Sequence, residues 1–238
     1  MKRLDAVLAN AGVGTRRQVK VLIQQGRVTL NGIVVRRCGA EVGESDSVTV
    51  DGSPLNRFGT VCLMLNKPRG YVCSNDGPDS VMRLVPEGYA VNRMFCVGRL
   101  DKDTSGLLLI TDDGELCHRI ISPSHNVCKT YRAVLRDPAS PEYVERFKNG
   151  LVLRDGLHTK PSRIELTSDP HTVLVHLSEG KYHQVRRMFA ACGNQVLQLC
   201  RLSVGPLSVD GLPEGGIREL DEHELKALRA SVGLSPEN

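Results

Sequence analysis

Residues 97–110 have the sequence VGRLDKDTSGLLLI, which carries more information about fold and chemistry than any other stretch of the chain. The apolar segments Met94–Val97 and Leu107–Thr111 on either side predict two β-strands. The loop between them holds two acids, two bases and two hydroxyl groups. Loops between rigid strands commonly present catalytic groups, although the composition fits a decorated surface turn equally well. The stretch predicts a β-rich core and marks its loop as a candidate site.

The sequence around this stretch alternates between short strands and helices. Further strands are predicted at Val61–Leu65, Tyr71–Cys73, Thr130–Val134 and Val173–Leu177. Helices are predicted from Asp112 to about Ile121, over Glu142–Lys148 and over His183–Ala191. Few strand pairs are separated by a helix-length crossover, so the pairing should be mostly antiparallel. This pattern predicts an α+β fold.

The first 40 residues differ from the rest of the chain in charge. They hold eight basic residues and one acid, whereas the other 198 residues hold 23 basic and 26 acidic residues. Helices are predicted over residues 4–11 and 16–25, the second capped by Thr15. Three cations with no acid nearby cluster on one side of the second helix: Arg16, Arg17 and Lys20. Their placement favours phosphate binding over a merely solvated face, so this end is predicted to bind nucleic acid.

A predicted hairpin with Asn31-Gly32 as its turn completes a compact N-terminal unit of about 50 residues. Turn-forming residues then dominate Asp51–Thr60, and we place the linker to the second unit there.

Composition excludes several classes of protein. The chain has 238 residues, of which 40% are hydrophobic and 24% charged, as in ordinary globular proteins. Its apolar runs are far shorter than the ~20 residues of a membrane span, and the N-terminus does not resemble a secretion signal. None of the eight cysteines forms a CxxC pair, so we expect reduced core thiols and a cytoplasmic protein.

Several segments in a fixed order resemble the bacterial ribosomal pseudouridine synthases of the small-subunit type. They are GRLDKDTSGLLLITDDGEL at 98–116, MLNKPRG at 64–70, KTY at 129–131, EGKYHQVRRMF at 179–189, GPL at 205–207 and REL at 218–220. The N-terminal segment, with GRVTLNG at 26–32, is similar to the small RNA-binding domain of the S-four type. The resemblance implies an S-four-like domain at residues 1–57. A mostly antiparallel, mixed-sheet catalytic domain would follow at residues 60–231.

The resemblance implies that a uridine within RNA is isomerised to pseudouridine. By this resemblance Asp101 is the catalytic carboxylate, which suits either covalent attack or proton abstraction. Tyr131 would stack on the flipped-out base. Lys181 would lie beside Asp101 and keep that carboxylate ionised. Asp103 is interpreted as a turn or capping acid.

The same resemblance and the charge pattern give a set of predicted RNA-binding residues. They are Arg16, Arg17, Lys20, Arg27, Lys67, Arg69, Arg99, His183, Gln184, Arg186 and Arg187. No cofactor is implied, and the spacing of His118 and His125 with the nearby cysteines matches no common zinc site. The expected substrate is 16S rRNA, as a small-subunit assembly intermediate, and the protein is expected to be a monomer. Subgroup resemblance points to uridine 516.

Three alternatives stay open at this stage. A synthase of the same family could act on 23S rRNA, because the catalytic motifs are alike. A non-catalytic rRNA-binding assembly factor is disfavoured because both Asp101 and Tyr131 are present. A glycoside hydrolase using Asp101 and Asp103 is disfavoured because two acids in one tight loop rarely span a scissile bond.

Overall fold

The computed structural model describes residues 2–11, 13–43, 46–55 and 60–235, and the chain divides into two compact units at residues 1–61 and 62–238. The bounds of the first unit's elements are β1 Lys2–Arg3, α1 Leu4–Asn10, α2 Arg16–Gln24, β2 Val28–Leu30, β3 Ile33–Val34, β4 Glu41–Val42, β5 Val48–Val50 and β6 Ser53–Pro54. Those of the second are β7 Cys62–Lys67, β8 Phe95–Cys96, β9 Thr104–Thr111, α3 Gly114–Ile121, β10 Lys129–Leu135, α4 Glu142–Lys148, β11 Arg163–Leu166, β12 Thr172–Leu177, α5 Gln184–Ala191, β13 Val196–Val204, β14 Leu207–Ser208, β15 Ile217–Glu219 and α6 Glu222–Ser231.

The first unit packs α1 and α2 on a small core. The Thr15 side chain caps α2 and forms a reciprocal capping box with Gln18, as its sequence position predicts. Strands pair in the order β3-β2-β5-β6, and β2 and β3 are joined by Asn31-Gly32, both at positive φ. This geometry is that of a tight hairpin turn. Val19 and Ile23 bury the inner face of α2, which leaves its cations on the outside.

The predicted linker at Asp51–Thr60 is correct only in part. Asp51 and Gly52 form a turn, and β6 then pairs with β5, so this stretch still belongs to the sheet. Residues 56–59 of that predicted linker lie outside the described residues.

The second unit is built on one large mixed sheet. Its described strands pair in the order β11-β12-β10-β13-β9-β7-β15, with β14 beside β13 and β8 beside β9. All these pairs are antiparallel except β13 with β9. The predicted mostly antiparallel α+β fold is confirmed. The parallel pair brings two segments almost 100 residues apart side by side.

Two hydrophobic cores flank the central strands of this sheet. One packs α3 and α6 on β7 and β9 and includes Met64, Leu109 and Leu228. The other packs α4 and α5 on β10 and β12 and includes Phe147 and Phe189. No helix among the described residues is long and apolar enough to cross a membrane.

Two sequence expectations are wrong in this unit. Tyr71–Cys73 is not a strand, since only Val72 makes an isolated bridge, to Ser80. Gly70 at positive φ and the turn residues that follow direct the chain into a loop instead. The cysteines are all free, but they are not all in the core, because Cys128 is exposed.

Candidate active site

The loop between β8 and β9 is held in place by a buried lysine. Lys67 at the end of β7 is fully buried, and its ammonium donates to the carbonyls of Pro68 (3.0 Å), Asp101 (3.2 Å) and Thr104 (2.8 Å). The Thr104 amide also donates to the Asp101 carbonyl. Burial lowers the pKa of Lys67. The three donors of Lys67 are used inside the protein, where they position Asp101; RNA binding by Lys67 stays a prediction.

Asp101 lies at the edge of a cavity of about 590 Å³ between the two cores of the second unit. Its carboxylate Oδ1 lies 3.2 Å from Nε2 of His183. His183 begins α5 with a left-handed backbone conformation, at φ 47°, which directs its ring toward the loop. The Tyr182 ring stacks on the His183 ring at 3.8 Å and is 75% exposed. Asp101 and His183 are thus a polar pair in the lining of the cavity.

The aromatic residue predicted to stack on the base lines the same cavity. Tyr131 lies on β10, partly buried, with Lys129 two residues before it. Alternate residues of a strand point to one face of the sheet, so both side chains project to the cavity side. The cavity therefore combines a carboxylate, an aromatic ring and cations.

Lys181 also lines the cavity but does not pair with Asp101. Its ammonium lies 3.4 Å from the Glu179 carboxylate and donates to the carbonyl of His158. Glu179 is only 6% exposed, and a buried carboxylate is stabilised strongly by an adjacent cation. The predicted Lys181–Asp101 pairing is wrong in this structure because Glu179 takes the ammonium.

A cation of α5, Arg186, contacts the second acid of this loop, Asp103. Its Nη2 lies 2.7 Å from Oδ2 of Asp103, while Nη1 donates to the Val196 carbonyl at 2.9 Å. Asp103 was interpreted as a turn acid; the structure shows that it ties the loop to α5. Arg187 pairs with Asp155. Both arginines are thus engaged with carboxylates rather than free for phosphate.

Gln184 is likewise occupied within the protein. It is buried, its amide donates to Glu179 at 2.7 Å, and its carbonyl oxygen accepts from the Lys181 amide at 2.9 Å. Both ends of the Gln184 side chain hold the segment before α5, and RNA binding by Gln184 stays a prediction.

The remaining predicted RNA-binding cations are on the surface of their units. Arg69 and Arg99 are exposed at the loops around the cavity, and Arg16, Arg17 and Lys20 are exposed on α2. Arg27 donates to Asp51 at 2.7 Å, and each side chain of the pair is about half exposed. Arg27 therefore has a partner of its own in the first unit.

Sequence reasoning missed three groups in the cavity lining. Arg201 on β13 is 4% exposed, and Lys129 is 8% exposed. Burial and the nearby charge of Arg201 lower the pKa of Lys129 to about 8. A hydrogen bond from Cys96, the Leu100 amide and the charges of Lys67 and Arg201 lower the pKa of Cys73. One signal was available: Arg201 is a lone cation in the run VLQLCRLSV.

Comparison with known proteins identifies both units. Residues 61–191 match the RNA pseudouridylate synthase family, and residues 2–48 match the S4 domain. The chain is 40% identical over 231 residues to "Ribosomal small subunit pseudouridine synthase A" of Escherichia coli (strain K12), covering 95% of this chain and 99% of that one. It is 39% identical over 238 residues to "Ribosomal large subunit pseudouridine synthase B" of Bacillus subtilis (strain 168), covering 97% and 96%. A solved structure titled "Crystal structure of pseudouridylate synthase" aligns with TM-score 0.68 and 37% identity, covering 96% of this chain and all of that one.

Proposed function

Because this chain belongs to the RNA pseudouridylate synthase family, we propose that it isomerises one uridine of 16S rRNA, uridine 516, to pseudouridine. The observation that carries the proposal is the cavity that both Asp101 and Tyr131 line. A flipped-out nucleotide fits such a pocket, with its base stacked on an aromatic side chain. The first unit supplies exposed cations for the RNA backbone.

The reaction moves one bond and one proton. The bond from ribose C1′ to uracil N1 breaks, the base turns, and C5 bonds to C1′. C5 then loses its proton and N1 carries one, so the product is an isomer of the substrate. We propose Asp101 as the carboxylate that attacks or abstracts a proton in this sequence. His183 holds its Oδ1 at 3.2 Å, and Lys67 fixes its backbone carbonyl.

Asp103 is not proposed as a second catalytic acid. Its side chain is 65% exposed and pairs with Arg186. This arrangement argues against a glycosidase-type pair of carboxylates, which must stand on opposite sides of the scissile bond. We propose that Lys181 balances the charge of the buried Glu179 carboxylate in the cavity lining and does not pair with Asp101.

The choice of 16S over 23S rRNA rests on the relative from Escherichia coli, whose name specifies the small subunit. The relative from Bacillus subtilis named for the large subunit is almost as similar, so 23S rRNA is the specific alternative. The proposed substrate is an assembly intermediate bound by a monomeric enzyme in the cytoplasm.

The experiment incubates the protein with three unmodified RNAs: naked 16S rRNA, partly assembled small subunits and naked 23S rRNA. Carbodiimide labelling and primer extension then locate pseudouridine. One new stop at position 516 of 16S rRNA, stronger in the assembled particles, is the expected result. A stop only in 23S rRNA would replace the substrate, and no stop in any RNA would favour a non-catalytic assembly factor. Light scattering of the same preparation tests the monomer.

A further inference from the structure

Arg201 lies where three strands of the active site meet. On β13 it pairs with Tyr131 of β10 on one side and with Gly106 of β9 on the other. Directly opposed residues of antiparallel strands project to the same face of the sheet, so the Arg201 and Tyr131 side chains share the cavity that Asp101 also lines. A Cβ at Gly106 would come within 2.2 Å of the Arg201 carbonyl. The glycine is therefore what allows β9 and β13 to approach here.

The Arg201 guanidinium is only partly used inside the protein. Its Nε donates to the Leu107 carbonyl at 2.7 Å, while Nη2 is buried and has no hydrogen-bond partner among the described residues. The residue is 4% exposed. A buried cationic donor without a partner is costly. Such a group in a substrate cavity points to a ligand that supplies an acceptor.

The depth of Arg201 decides which part of the RNA it can meet. Arg99, which lines the cavity, and Arg69, in the loop after β7, are both exposed, and we expect the phosphate backbone of the substrate to stay at this surface. Arg201 is only 4% exposed and pairs with Tyr131 of the neighbouring strand. Only the flipped base reaches that depth, and the acceptors of uracil are its two carbonyl oxygens, O2 and O4.

We propose that Arg201 donates from Nη2 to a carbonyl oxygen of the target uracil and stabilises the charge that this base acquires during the reaction. When the C1′–N1 bond breaks, its electron pair moves onto the uracil and spreads to O2 and O4. A preorganised guanidinium in a water-poor site stabilises such charge. The later C5–C1′ bond uses the same electrons, and Arg201 neither gives nor takes a proton. This inference rests on the proposed conversion of uridine in RNA.

The test combines three variants with three RNAs. Arg201→Met removes the guanidinium, Arg201→Lys keeps a charge, and Arg132→Met removes an exposed arginine from the neighbouring strand as a matched control. The RNAs carry uridine, 2-thiouridine or 4-thiouridine at the proposed target, position 516 of 16S rRNA. Sulfur accepts hydrogen bonds more weakly than oxygen. Single-turnover rates are measured with saturating enzyme, and circular dichroism and RNA affinity report folding and binding.

The expected outcome is a rate loss of about 10²-fold for Arg201→Met on the uridine RNA. One of the two thio substitutions should slow the wild type about tenfold and leave Arg201→Met unaffected, because the contact is already lost. The rate of Arg201→Lys on the uridine RNA should lie between those of the wild type and Arg201→Met. If the Met variant does not fold, the Lys variant is compared with the wild type instead. Arg132→Met should match the wild type on all three RNAs.

If the ratio of the wild-type rate to the Arg201→Met rate were the same on all three RNAs, the proposal would be overturned. Such a result would assign Arg201 a purely structural role. A rate equal to that of the wild type would overturn it as well. Failure of the wild type to convert the uridine RNA would instead refute the proposed substrate, because every comparison starts from that conversion.

Discussion

The two units of this protein use the same residue types in opposite ways. In the first unit the cations of α2, Arg16, Arg17 and Lys20, are exposed on a helix whose inner face is buried. In the second unit Lys67 is fully buried and donates to three backbone carbonyls in and beside the loop between β8 and β9. A cation is thus available to RNA in one unit and is part of the framework in the other. The nearby carbonyl acceptors make this difference, not the residue type.

Substitution of Gly106 by alanine should have the largest effect on stability. At φ 105° the added Cβ would meet the Arg201 backbone at 2.2 Å, which no side-chain movement relieves. We expect a loss of at least about 3 kcal/mol in the free energy of unfolding, measured in urea. The control is Gly32→Ala in the hairpin of the first unit, where φ is 80° and the space is open; it should cost about 1–2 kcal/mol. Equal losses would show that β9 and β13 can separate freely.

Replacement of Lys67 by methionine tests the role of the buried cation in the second unit. Three carbonyls would lose their shared donor, and we expect a loss of about 2–3 kcal/mol together with slower catalysis at unchanged RNA affinity. Lys20→Met on α2 should change stability by less than about 0.5 kcal/mol and weaken RNA binding instead. Weaker RNA binding by a stable, active Lys67→Met protein would contradict the framework role.

Neutralisation of the α2 cluster tests the exposed side. The triple variant with glutamine at Arg16, Arg17 and Lys20 should bind rRNA about tenfold more weakly. The slope of log affinity against log salt should fall by about 2, at unchanged single-turnover rate. A triple variant of exposed cations of the second unit, Lys148, Arg163 and Lys226, changes the charge equally and should leave the salt slope nearly unchanged. Equal effects of both variants would mean that only net charge matters.

A fourth effect depends on pH. Burial lowers the pKa of Lys129 to about 8 in the folded protein, whereas the unfolded chain has the ordinary value of 10.5. Between these values the unfolded state binds more protons, so this group makes stability rise with pH from about 8 to 10.5. Below about 8 both states are protonated and the full burial cost is present. The difference in unfolding free energy between the wild type and Lys129→Met should therefore change over this window and stay flat below it.

Local features of the fold could be predicted from the sequence. The bounds of α4 and the Thr15 cap of α2 follow from periodicity and capping chemistry. β13 was missed because Gln198 and Arg201 interrupt its apolar pattern, and its parallel pairing with β9 depends on a contact between distant segments. Local propensity does not encode such pairings.

The residues of the candidate site could be identified from sequence motifs, but their contacts with distant segments could not. Asp101 and Tyr131 could be assigned from motifs, and the structure brings them to one cavity. The partners of Lys67, Lys181 and Gln184 could not, because each is defined by a carbonyl or carboxylate elsewhere in the fold. A sequence shows that a cation is present, but it does not show whether that cation is already bonded to a buried carbonyl or carboxylate.

The central claim is that Asp101, held by the buried framework, performs the chemistry, and that the neighbouring acid only ties the loop to α5. Single-turnover conversion by Asp101→Asn and Asp103→Asn tests it most directly, with both variants matched for folding and RNA affinity. Asp101→Asn should lose at least about 10³-fold in rate, and Asp103→Asn should stay within about tenfold of the wild type. Substantial conversion by Asp101→Asn, or a larger loss in Asp103→Asn, would contradict the account.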